Sequence, residues 1–148
     1  MIVTTLKWTI EDYHEMIQAG LLKNKSVELL LGDIIIMSPE IPLHVQLNTD
    51  TADYLRRLLG DKVLIRNAKP ITIFESNSEP EPDLAIVQPL SSVYKNHHPY
   101  PEQVFWVIEY AYSSLAKDLE IKRKLYTSAN IKEYWLIDLK NSQIKVFR

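Results

Sequence analysis

Residues 104–126 read VFWVIEYAYSSLAKDLEIKRKLY. The stretch opens as a run of core residues without polar alternation, as in a central strand covered on both faces. Glu109 sits inside that run. The second half is helical in pattern: at about 100° per residue, Leu115, Leu119, Lys122, Tyr126 and Ala129 fall within roughly 80° of arc. Leu125 and Asp118 border this stripe, while Lys117, Glu120, Arg123, Lys124 and Thr127 lie opposite. Strand and helix together therefore carry a carboxylate and an amine where hydrocarbon is expected.

Each charge has an ordinary explanation. Lys122 can pack its stem and lift its ammonium to the edge, or pair with Asp118 one turn earlier. Glu109 is harder to place, because an ionised carboxylate in an apolar strand costs several kcal/mol to desolvate. A metal cation, a lysine or protonation would compensate. Asp83 raises a parallel question. It begins the short strand DLAIV directly after a proline, either as a turn carboxylate or as a second acid at the end of the same sheet.

Outward from this stretch, Thr9 caps a short helix over about 10–19, and SVELLLGDIIIM reads as a hairpin around Gly32-Asp33. A helix from about 43 to 59 ends at Gly60. KVLIRN, PITIF, DLAIV and VFWVIEYA read as strands, with a proline-rich loop over 88–103. Ser114 caps the helix that runs to about 129, and KEYWLIDL and QIKVF close the chain as strands joined by KNSQ. The order α, β-hairpin, α, β, β, β, β, α, β, β predicts an α/β fold, a mixed sheet with helices packed on it, in a single domain over 1–148.

Composition narrows the chemistry. The 148 residues are 46% apolar with a net charge of −2, so attraction to a polyanion must be local rather than global. Without cysteine, disulfides and thiolate metal sites are excluded. The glycines at 20, 32 and 60 form no phosphate-cradling loop, and no GxSxG elbow occurs. No apolar run approaches the roughly 20 residues of a membrane span, and the N-terminus lacks a signal-peptide pattern. A cytoplasmic location is the expectation. His97-His98 lack the spacing of a zinc site. Trp106 and Trp135 read as core, and Trp8, with Lys7 and Tyr13, as a candidate dimer contact.

Two carboxylates from two strands, with an inward lysine from the next helix, suit Mg²⁺ or Mn²⁺ and a phosphate ester. The ammonium then neutralises charge developing on phosphorus or orients a water.

The segments EPDLAIV, VIEYAYSSLAKDLEIKRKLY and IKEYWLIDL resemble the PD-(D/E)XK nuclease superfamily, and more narrowly its Uma-type restriction endonuclease family. VELLLGDIIIMSPEIPLH resembles that family's N-terminal signature. The resemblance spans residues 26–139 and rests on Glu28, His44, Asp83, Glu109, Asp118, Lys122, Tyr126 and EYWLID in that order. It implies a restriction-endonuclease-like fold and a Mg²⁺-dependent endonuclease acting on DNA, as a homodimer. Carried over by position, Asp83, Glu109 and the backbone carbonyl of Tyr110 form the metal shell, with Lys122 beside the scissile phosphate. Glu28 adds a further carboxylate, and His44 contacts phosphate or carries a proton, or is structural at its helix start. The superfamily's usual lysine two residues after the acid is here Ala111, and Lys122 takes its place from the helix. Tyr112 departs from relatives, which favours a second reading: a catalytically inactive nuclease-fold module for nucleic-acid binding or assembly. A hydrolase of another phosphate ester is a third.

Overall fold

A computed structural model of the chain describes residues 1–112 and 116–148, with side chains in the second segment from Leu119 onward. The predicted Ser114 cap and Asp118 side chain lie outside the described residues.

Helix α1 spans Ile10–Gln18. Thr9 starts it through a reciprocal cap: its hydroxyl accepts the Asp12 N–H and the Asp12 carboxylate accepts the Thr9 N–H, each at 3.1 Å. Strands β1 (Val27–Leu30) and β2 (Asp33–Ile36) form a separate antiparallel hairpin. Its two turn residues, Leu31 (φ 51°) and Gly32 (φ 79°), both take positive φ, the twist that suits a two-residue hairpin. Helix α2 covers Pro42–Leu59. Strands β3 (Leu64–Asn67), β4 (Leu84–Val87), β5 (Val104–Ala111), β6 (Tyr134–Asp138) and β7 (Gln143–Phe147) form one sheet in that order, with helix α3 (Ala116–Ser128) between β5 and β6. Only the β5–β6 pair is parallel. A parallel neighbour needs a crossover, and α3 is that crossover.

Successive strand residues point to opposite faces, and this sorts the core. Ile108 and Tyr110 join Leu84, Ile86 and Ile65 beneath Ala52 and Leu55 of α2. Val107 joins Ala85, Val87 and Tyr134 beneath Leu125 and Tyr126 of α3, with Leu30, Ile71 and Ile73 completing that side. Glu109 shares the parity of Val107 and so faces α3. A third cluster, of Ile10, Tyr13 and Leu29 with Trp8 against it, seats α1 on the hairpin. Trp8 and Tyr13 thus pack within the chain, and Lys7 pairs with Asp33 at 2.6 Å.

PITIF is not a strand, although Ile71 and Ile73 are buried as an alternating strand would bury them. The Ile71 and Thr72 N–H groups donate to the carbonyls of Pro80 and Pro99. A proline has no N–H to return, so no ladder propagates, and a single bridge from Ile73 to Ser78 is all that forms. Among the described residues, three strands, not four, therefore lie between α2 and α3.

At Gly32 an added Cβ would meet Lys7 Cβ at 2.9 Å and the Trp8 carbonyl at 3.2 Å. Gly32→Ala combines that clash with an unfavourable φ and should lose about 1–3 kcal/mol in urea unfolding. A wild-type midpoint would show that the N-terminal segment does not lie across the turn.

Candidate active site

Strand β4 begins at Leu84, which pairs with Ile108, so the same register carried one position back sets Asp83 across from Glu109. At that point β5 has lost its neighbour, and the Tyr110 N–H is unclaimed by the ladder. Asp83 claims it: Oδ2 accepts that N–H at 2.7 Å. A strand residue directs its N–H and C=O to the same side. The Tyr110 carbonyl therefore also faces the side where β4 has stopped. The two acids and that carbonyl, predicted from different segments, occupy one end of the sheet.

Lys122 meets Glu109 from α3. Its ammonium lies 3.0 Å from Glu109 Oε1 and 3.1 Å from Glu28 Oε2, and all three side chains are about nine-tenths buried or more. The Tyr126 hydroxyl, one turn on, donates to the same Glu109 oxygen at 2.8 Å. Glu28 Oε2 also accepts the Glu81 N–H at 3.0 Å, which ties the hairpin to the segment leading into β4. Burial alone would lower the Lys122 pKa, but Glu109 and Glu28 outweigh it, so the ammonium stays charged. Burial pushes the Glu109 carboxyl up to about 7, against the pull of Lys122. Glu28 thus acts first as a partner of Lys122.

His44 lies on the first turn of α2 and brings Nε2 to 3.0 Å from Asp83 Oδ1, with Glu40 at 3.7 Å. The approach to Asp83 is close but off-line for a hydrogen bond, leaving Nε2 buried without a donor or acceptor aligned to it. The Asp83 carboxylate, opposed by burial, holds the imidazole above its usual pKa. Glu40, His44 and Asp83 place one ligand atom each within 4.8 Å of one another, the one such three-residue group among the described residues. Carboxylates and a backbone carbonyl suit Mg²⁺ or Mn²⁺, whereas an imidazole suits borderline ions such as Zn²⁺ or Fe²⁺. Asp83 is common to this group and to the pair with Glu109, and Glu109 Oε2 accepts from none of the described residues. The donor set thus fits a divalent cation.

Helix α2 contributes more than its sequence pattern suggests. His44, Asn48 and Thr51 form a polar stripe at i, i+4 and i+7. Asn48 donates to the Asp83 carbonyl at 3.2 Å, and Thr51 accepts the Tyr110 hydroxyl at 2.6 Å. Thr51, a weak helix former, secures the residue next to Glu109 instead. The spacing itself was the available signal. Glu40, four residues before His44, was likewise missed. His97 and His98 lie elsewhere: His97 stacks on Tyr100 at 4.0 Å, and His98 contacts Arg66 at 3.4 Å.

A family model described as "Putative restriction endonuclease", Uma2, matches residues 10–148, and the chain belongs to that family. Among solved structures it is similar to a crystal structure described as a "putative nuclease belonging to DUF820" from Anabaena variabilis, with a TM-score of 0.72 at 15% identity. That match covers 95% of this chain and 79% of the other, and it shows a shared fold. No curated protein matches the sequence. No helix among the described residues is long and apolar enough to cross a membrane.

Removing one partner of a buried ion pair strands the other. Lys122→Met should therefore cost about 3–5 kcal/mol in urea unfolding, and adding Glu109→Gln should recover part of the loss. Additive losses would show that the amine and the acid do not depend on each other.

Proposed function

We propose that this protein is a divalent-metal-dependent endonuclease that hydrolyses phosphodiester bonds in DNA, of the PD-(D/E)XK type. The reading is supported above all by the setting of Lys122, a buried and protonated amine held against Glu109 at the sheet end that also carries Asp83. Asp83, Glu109 and the Tyr110 carbonyl would hold the cation, Mg²⁺ or Mn²⁺. The bound ion supplies charge neutralisation at phosphorus and a more acidic water.

The chain's own groups do the remaining work. Lys122, fixed by Glu28 from behind, presents its ammonium to a non-bridging phosphate oxygen or to the attacking water. Because its neighbours hold it protonated, it acts as a cation and donor rather than as a base. Tyr126 takes up Glu109 Oε1 and leaves Oε2 for the site. His44 braces Asp83, which the Tyr110 N–H already fixes from the other side. One such centre cuts one strand, so cleavage of both strands implies two copies acting as a homodimer.

Two measurements test the reading together. Calorimetric titration with Mg²⁺ or Mn²⁺ should show binding that Glu109→Gln and Asp83→Asn abolish and that Lys122→Met does not weaken. Cleavage of plasmid DNA should require the ion, stop with chelator, and fall at least about 100-fold in Lys122→Met. Undiminished ion binding by Glu109→Gln would remove that residue from the metal site. DNA binding without cleavage under saturating ion would identify the inactive module instead.

A further inference from the structure

The β-sheet register lines up side chains across strands. Glu109 pairs with Leu136 and Leu136 with Lys145, while two residues along, on the same face, Val107 pairs with Tyr134 and Tyr134 with Phe147. The acid centre and a lysine on β7 therefore share one row, two inter-strand spacings or roughly 10 Å apart. Over these rows, beside α3, lies a cleft of about 380 Å³ lined by Ala111, Tyr134, Leu136, Lys140, Lys145 and Phe147 among others. Its volume falls within the usual range of small-ligand pockets.

Three features of the cleft go unused by the cluster at Glu109. Tyr134 is 3% exposed, yet its hydroxyl is buried with no hydrogen-bond partner. Buried hydroxyls are normally paired. Burial first, then Glu109 and Asp83, raise its pKa, so it remains a proton donor awaiting an acceptor. Lys140 and Lys145 form no salt bridge within 4.0 Å among the described residues, although Asp138, which lines the cleft with Glu120, feels the Lys145 charge. Arg123, by contrast, is bound to Glu120 and lies over the Phe147 ring at 5.0 Å. Ala111, two residues past Glu109, brings only a methyl group to the cleft.

A buried neutral donor beside two ammonium groups without a salt-bridge partner calls for an anionic oxygen. Leu136 and Phe147 call for an apolar body attached to it. We infer that the cleft receives a nucleotide adjoining the cleaved phosphodiester, its phosphate oxygen accepting the Tyr134 hydroxyl, its charge met by Lys140 and Lys145. This rests on the nuclease reading, since it takes the same strand to run from the acid centre to β7.

The test separates the two claims by measuring binding without divalent ion, where cleavage plays no part. A short fluorescent DNA strand is titrated in chelator against wild type, Tyr134→Phe, Lys145→Ala and the surface-charge control Lys25→Ala, an exposed lysine outside the cleft. Tyr134→Phe and Lys145→Ala should each bind about tenfold more weakly, and Lys25→Ala about as tightly as wild type. Tyr134→Phe should melt at or above the wild-type temperature, because it removes an unpaired buried hydroxyl. Strand binding that depends on both residues in a protein without cleavage would keep the subsite and reject the nuclease. Cleavage with unchanged binding in both variants would reject the subsite alone. A lower melting temperature for Tyr134→Phe would place the hydroxyl's partner inside the protein and overturn the proposal. So would a free nucleoside monophosphate binding as tightly as the strand.

Discussion

The site depends on one buried amine shared by two buried carboxylates. Glu109 and Glu28 come from different sheets, and neither has another cation beside it in the described geometry. Without Lys122 both would sit in low dielectric with uncompensated charge, at a cost comparable to a large part of a domain's net stability. The same contact joins the N-terminal hairpin, the central strand and α3. Fold and chemistry therefore draw on a single interaction.

The end of β4 is the second constraint. A strand that stops one residue early leaves the next backbone N–H on its neighbour without a partner. Here a carboxylate fills that vacancy and is locked in place by doing so. Proline accounts for the early stop. Pro80 and Pro82 are fully buried in the segment before β4, where they remove the donors that would have extended the ladder. The acid at 83 is thereby kept at the sheet's rim.

Much of this was legible in the sequence. Glu109 and Lys122 stand out because charge at core positions demands an explanation, and the helical arc alone turns Lys122 inward. Asp83 is legible through its place after a proline and before an apolar run. What stayed hidden depended on partners rather than on pattern. Ile71-Thr72-Ile73 has a strand's alternation, but its hydrogen bonds go to prolines that cannot answer. His44, Asn48 and Thr51 look like weak helix formers until Asp83 and Tyr110 are seen opposite them. The hydroxyl of Tyr134 reads as core, since its isolation is visible only once its neighbours are known.

The cluster is assembled from positions 28, 83, 109 and 122, and the amine is the last of these to be synthesised. Without Lys122 in place, the acids at 28 and 109 have no ammonium beside them, and burying them charged is costly. A nascent or clipped chain lacking α3 would carry the acids without the amine that orders them. On the proposed nuclease reading, such late arming would be a safeguard written into chain order.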